Sequence, residues 1–408
     1  MTLGNLLCSE ALPNALPANQ NSPQVCPYNL HAEQLSGSSF TKPRALARFA
    51  WLYRALPSAS LHGRFAAVAR GHFPAIADAE SMEVDANAGR WMPLPLLKNL
   101  EEGEFRVDFL HGLRVVAGAG DAGLCEGVRI MVFSFSQSMQ RQSFSSSDGD
   151  WLFVPQTGTM SIKSEFGTLE ASPTQVIVVP RLVKFTVGLV GSEPCRGYCV
   201  EVFNEGGFRL PELGPIGVNG LANPMHFEAP RAQFDTDSSL DWTHFYKVGD
   251  KWFNAQGRSP FNVVAWRGNM FPLKYDLNKF LAINSVSFDH PDPSIFTVLS
   301  VPSPMPGTAA CDFVIFPHRW MVAEHTFRPP YFHRNVMSEF MVWICRLVAL
   351  IWFPFRSANL TNPYALNAKK NCTGADQRAL RWQKSRICSR WLFFAQSRDP
   401  PRSGRGNC

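Results

Sequence analysis

The stretch FRPPYFHRNVMSEF, residues 327–340, sets an imidazole, His333, and a carboxylate, Glu339, six positions apart. An even separation puts both side chains on one side of a regular strand. The Pro329–Pro330 pair restricts the backbone that leads into it. Mixed nitrogen and oxygen donors of this kind suit iron(II). Two imidazoles and one carboxylate on one face hold the ion and leave coordination positions open for O2 and a substrate. By itself, H-x5-E equally describes an unrelated pair, one residue buried and one solvated.

A second constellation lies in SVSFDHPDPSIFTVL, residues 285–299, where His290 stands between Asp289 and Asp292. A neighbouring carboxylate can orient an imidazole and raise its pKa, which suits proton transfer. The same residues also read as an exposed loop His among turn formers, beside Pro291 and Pro293. Cys195 and Cys199 form a C-x3-C pair with no second pair to complete a zinc site. They read as buried or half-buried strand thiols.

The elements that must position these residues read as strands. FRVDFL, LRVVAGAG, VRIMVFSF and WLFVPQTGTMSIKSEFGTLEASPTQVIVVP are short apolar runs broken by Gly, Asp, Ser and Pro. MSIKSEFGTLEA predicts a hairpin with Gly167 at its turn. QVIVVPRLVKFTVGLV predicts one or two strands meeting at Pro180. Residues 1–60 are rich in turn formers and predict an extended arm with few regular elements. LDWTHFYKVGDKWFNAQ, residues 240–256, predicts a helix, and a second β region starts near Phe261. Strands at this density suit sandwiches of jelly-roll type. The expected fold is therefore mainly β, with two cupin-like or jelly-roll-like domains and an extended N-terminal arm. The expected divisions are 1–270 for the first sandwich with its arm and 271–340 for the first part of the second domain. Residues 341–408 are expected to be a basic, poorly ordered tail.

The chain of 408 residues is long enough for two cores, and its 45% apolar and 18% charged residues suit a folded protein. The formal charge of +6 is unevenly placed. After Glu339 stand twelve Lys or Arg against two acids, Asp376 and Asp399, which leaves 27 basic and 31 acidic residues upstream. The basic excess thus belongs to one end and gives no ground for nucleic-acid binding. The apolar run MVWICRLVALIWFP, residues 341–354, is interrupted by Arg346 and is shorter than the ~20 residues of a spanning helix, so no membrane span is expected. The N-terminus has no basic start and no long apolar core, so a cytoplasmic setting is expected.

At this point a resemblance becomes plain. FRPPYFHRNVMSE is similar, almost letter for letter, to the iron-binding segment of the homogentisate 1,2-dioxygenases. FDHPDPSIFTVL looks like the segment of that family that carries its acid/base His. NSPQVCPYNLHAEQLSGSSFTKPR, WLYRALPS, SSSDGDWLFVPQTG, LGPIGVNGLANP, SPFNVVAW and DFVIFPHRW match as well, so the resemblance spans residues 21–340. It implies an enzyme that opens the ring of homogentisate with both atoms of O2, giving maleylacetoacetate, with Fe(II) as cofactor. It implies His333 and Glu339 as two of three iron ligands, His290 as general acid/base, and Tyr331 and Phe332 as pocket lining. It also implies a homo-oligomer, a hexamer of two stacked trimers.

Past Glu339 the resemblance stops. Family members continue with a Gly-rich stretch, a substrate-binding Tyr and a Thr-Pro-His-Gly segment that holds the third ligand. Here His333 is the last His, so the third ligand is carried onto no residue, and Tyr364 matches the substrate Tyr only in type. His318 and His325 precede the motif at positions that are not ligands in the family. A site of two protein ligands should hold iron(II) weakly and turn over little. The expected alternative is a non-catalytic subunit that assembles with intact chains, its tail arising from a misread intron or a shifted frame. A different cupin activity, such as sugar isomerisation or storage, is disfavoured because the matching segments are particular to one family.

Overall fold

Short apolar runs separated by Gly, Pro, Asp and Ser become strands throughout. The computed structural model describes residues 6–18, 27–83, 94, 106–212, 222–236, 239–281, 296–317, 337–344 and 347–354. In chain order they form β1 (Leu7–Glu10), β2 (His31–Ser36), β3 (Phe49–Arg54), β4 (Ala66–Ala67) and α1 (Pro74–Glu80). There follow β5 (Leu113–Asp121), β6 (Glu126–Phe135), β7 (Gln142–Ser146), β8 (Asp150–Thr157), β9 (Thr159–Ser164), β10 (Gly167–Ala171), β11 (Gln175–Val179), β12 (Phe185–Val190) and β13 (Cys195–Val202). The rest are β14 (Trp242–Val248), β15 (Lys251–Gly257), β16 (Val263–Gly268), β17 (Leu273–Asp276), β18 (Thr297–Pro302), β19 (Ala309–Phe316), β20 (Met337–Ile344) and β21 (Leu347–Pro354).

The eight consecutive strands β6 to β13 divide between two sheets. One contains the order β6-β13-β8-β11, the other β7-β12-β9-β10. Successive strands crossing between two facing sheets in this order make a jelly roll. The first sheet is widened by β5 and β17, the second by β14, β15 and β4. Aromatic rings fill the space between them: Phe109, Phe133, Phe144, Trp151, Phe153, Phe185 and Trp252 are all buried. Phe144 stacks on Trp252 at 4.9 Å and Trp151 on Phe153 at 5.7 Å.

The six-stranded sheet is buried on both faces. Along β8, Trp151 and Phe153 enter that aromatic core, while Leu152 and Val154 enter a second core on the other side. Double burial explains why WLFV and QVIVV run apolar without alternation. The second core is closed by a four-stranded sheet of order β18-β19-β21-β20, through Val298, Leu299, Val301, Phe313 and Phe340. Each such side chain contributes roughly 1.5–3 kcal/mol of burial.

The structure settles several local readings. The β9–β10 hairpin forms with Ser164 opposite Gly167, whose φ is 124°. A Cβ there would stand 1.9 Å from the Arg231 carbonyl oxygen, so only glycine fits. Residues 175–190 are two strands, and Pro180 lies where the chain crosses from one sheet to the other. The N-terminal region is more regular than its turn-rich composition suggests: β1, β2 and β3 join β16 in a sheet of order β1-β16-β3-β2. The partner strand lies about 200 positions away, beyond the reach of local pattern. Residues 240–256 are the β14–β15 hairpin rather than a helix. Gly249 and Asp250 take the left-handed conformations of its turn (φ 58° and 57°), and their N–H groups donate to the Asp148 carboxylate at 2.6 and 2.9 Å. Residues 337–354 contain the paired strands β20 and β21, so the first part of the stretch expected to be a poorly ordered tail pairs as strand up to Pro354. β21 lies between β19 and β20, and an inner strand need not alternate.

Candidate functional site

Glu339 sits on β20, and its position follows from its neighbour. The Phe340 ring is 7% exposed and packs edge-on against Tyr198 of β13 at 5.6 Å. Val342 packs against the same core. Strand alternation therefore turns Glu339 to the opposite face, where it is exposed. The register extends this face across the sheet: Ser300 pairs with Asp312, Asp312 with Trp352, and Trp352 with Glu339. Paired positions share a face, so Ser300, Asp312 and Glu339 belong to one row. In the neighbouring row Leu299, Phe313 and Phe340 belong to the core face. Burial pushes the Asp312 carboxyl above its ordinary range, against the opposing effect of a hydrogen bond from Ser300.

His290, Tyr331, Phe332 and His333, together with His318 and His325, lie outside the described residues. Of the residues proposed for the iron and substrate site, the structure thus positions Glu339 alone. It adds Asp312, which sequence reading passed over inside the apolar run of DFVIFP. The signal available was an acid opening an otherwise apolar strand run, next to the core-facing Phe313. Among the described residues no group of three or more His, Cys, Asp or Glu is arranged to hold a metal ion. The jelly-roll interior between the first two sheets is occupied by aromatic rings.

Buried charge elsewhere holds the scaffold. Lys247 Nζ lies 2.7 Å from Asp148, 2.9 Å from Glu201 and 2.7 Å from Asp250, and Arg129 meets Asp250 at 2.6 Å. Burial, with the Asp148 charge, pushes the Glu201 carboxyl up, although Lys247 opposes this. Arg54, fully buried, pairs with Glu33 at 2.6 Å and Glu165 at 3.0 Å and fixes the N-terminal sheet to the β9–β10 turn. Burial would raise the Asp150 carboxyl, but Arg48 and Arg181 outweigh it and hold the group below its ordinary range. Cys195 and Cys199 are buried as expected, and burial pushes the Cys195 thiol up to about 12, which leaves it inert at neutral pH.

A jelly roll backed by a further antiparallel sheet, one strand of which offers a carboxylate on its open face, defines a cupin-like β protein. Mixed carboxylate and imidazole donors, Glu339 with His333, fit a divalent iron ion in donor chemistry. A family model described as homogentisate 1,2-dioxygenase N-terminal matches residues 1–277, and one described as homogentisate 1,2-dioxygenase C-terminal matches residues 278–347. The chain belongs to the homogentisate 1,2-dioxygenase family. The homogentisate 1,2-dioxygenase of Dictyostelium discoideum is 48% identical over 339 residues, 83% of this chain and 76% of the relative. That of Drosophila melanogaster is 50% identical over 333 residues, 81% and 74%. That of Homo sapiens is 48% identical over 342 residues, 83% and 75%. Among solved structures, a cupin-2 domain containing protein from Shewanella frigidimarina is 18% identical, with a TM-score of 0.19, over 22% of this chain and 78% of that one. No helix among the described residues is long and apolar enough to cross a membrane.

Proposed function

We propose that this chain is a ring-opening dioxygenase subunit acting on homogentisate, with iron(II) held by His333 and Glu339. The observation that carries this reading is the pair of family matches, which run unbroken from residue 1 to 347 and include every residue proposed for the site. Bound iron(II) supplies templating and Lewis-acid activation for substrate and O2. Glu339 would supply a carboxylate to the ion from a strand held in place by the docking of Phe340. His290 takes a proton from a ring hydroxyl of the substrate, and Tyr331 and Phe332 line the apolar side of the pocket. Subunits assemble as a homo-oligomer, and the setting is cytoplasmic.

Residues 334–408 contain no imidazole, so this stretch adds only Glu339 to His333, and a site of these two protein donors has lower affinity for iron than a three-ligand site. The test is an oxygen electrode with homogentisate, together with iron measured on the purified chain. Slow O2 uptake that depends on homogentisate and on added iron(II), and that is lost in His333→Ala and Glu339→Gln, is the expected result. Uptake absent at saturating iron, or unchanged in both variants, overturns the reading.

A further inference from the structure

Away from the face that carries Glu339, two imidazoles meet at the surface of the first sandwich. His72 lies in the turn that enters α1, and His111 in the loop that leads into β5. Their ring centroids are 5.8 Å apart with the planes at 55°. Both residues are exposed, the His111 side chain at 40%.

His111 is held by a carboxylate from behind. Asp108, 6% exposed, lies 2.7 Å from His111 Nδ1 and accepts the His111 backbone N–H at 3.0 Å. An ionised carboxylate can only accept, so Nδ1 carries the proton and the Nε2 lone pair is left free. A carboxylate on one ring nitrogen with the other nitrogen open is the arrangement that orients a His toward a metal ion and raises its basicity. Phe73, fully buried, stands edge-on to both rings, at 4.5 Å from His72 and 5.0 Å from His111, and forms an apolar floor that limits their rotation. Two imidazoles bound to one ion at 2.0–2.1 Å place their ring centres roughly 5 to 6 Å apart, and the observed separation falls in that range.

We propose that His72 and His111 form a surface site for one borderline divalent cation of the zinc, nickel or copper(II) type, with Asp108 as the residue that orients His111. Imidazole donors favour these ions over calcium or magnesium, which take oxygen ligands. Solvent completes the coordination, because the described residues offer two donors here. The nearby Arg114 is committed to Asp78 at 2.7 Å, so its charge is largely offset. The other close His pair is a poorer candidate: His62 and His244 are 5.5 Å apart, but His244 is 2% exposed and its Nδ1 is engaged by Ser143 at 2.7 Å.

Nickel chloride titrated calorimetrically into the metal-stripped full chain tests this, with Glu339→Gln as the parent so that the proposed iron site does not contribute. One nickel per chain is expected in the parent. His72→Gln and His111→Gln should each lose most of this binding, and Asp108→Asn should weaken it about 10- to 100-fold. Thermal unfolding of each variant shows whether the fold is retained. Should the His111 and Asp108 variants unfold, His72→Gln decides, because its ring is exposed. No nickel bound by the parent, or equal affinity in the folded His72→Gln variant, overturns the proposal.

Discussion

Phe340→Ala tests how the strand that carries Glu339 is held. The ring is 7% exposed, and its aromatic partner is Tyr198, 5.6 Å away on the six-stranded sheet. Truncating a buried Phe to Ala destabilises by about 3–5 kcal/mol, of which roughly 0.5–1.5 kcal/mol belongs to the edge-on aromatic pair. Against a typical domain stability of about 5–15 kcal/mol, that loss is enough to detach the four-stranded sheet in a sizeable fraction of molecules. Urea unfolding followed by tryptophan fluorescence should show the change, and the variant should also retain less iron after gel filtration. Phe340→Leu keeps most of the volume and should recover to within about 1.5 kcal/mol of the parent. Tyr198→Phe separates ring from hydroxyl: the Tyr198 hydroxyl is buried without a hydrogen-bond partner, so its removal should be neutral or stabilising. If Phe340→Ala unfolds within 1 kcal/mol of the parent and keeps its iron, the docking argument for Glu339 is wrong.

Three further outcomes are expected. Lys247→Met removes the one lysine shared by Asp148, Glu201 and Asp250 and should destabilise by about 3–5 kcal/mol in urea, with part recovered by adding Glu201→Gln. Asp312→Asn should raise the thermal midpoint at pH 7. The folded-state pKa of Asp312 is raised, so the ionised parent is penalised above that pKa, and the advantage of Asn should shrink as pH falls toward the ordinary carboxylate range. A midpoint difference that stays constant from pH 7 to pH 4 would speak against a half-buried, ionised Asp312. Gly167→Ala should destabilise by about 1–3 kcal/mol in the same urea assay, because of its positive φ and the Arg231 carbonyl oxygen 1.9 Å from the new Cβ.

What the sequence disclosed depended on the range of the signal. Alternating or continuous apolar runs are local, so most strands from β5 to β13 are readable in place, as is the β9–β10 hairpin with its glycine, whereas the polar β7 (QSFSS) is not. Pairing over long separations was not: nothing near His31 or Phe49 announces a partner at Val263–Gly268. The β14–β15 hairpin was mistaken for a helix because its decisive feature is an aspartate, Asp148, that caps the turn from about a hundred positions upstream. The site shows the same division. Spacing makes His333 and Glu339 only a candidate pair, and it does not say which face Glu339 takes. That follows from Phe340, whose burial against Tyr198 fixes the parity of the strand, and from the register that sets Asp312 in the same row. The raised Asp312 carboxyl, two strands away from Glu339, owes its shift to burial, so register places the two acids in one row without coupling them.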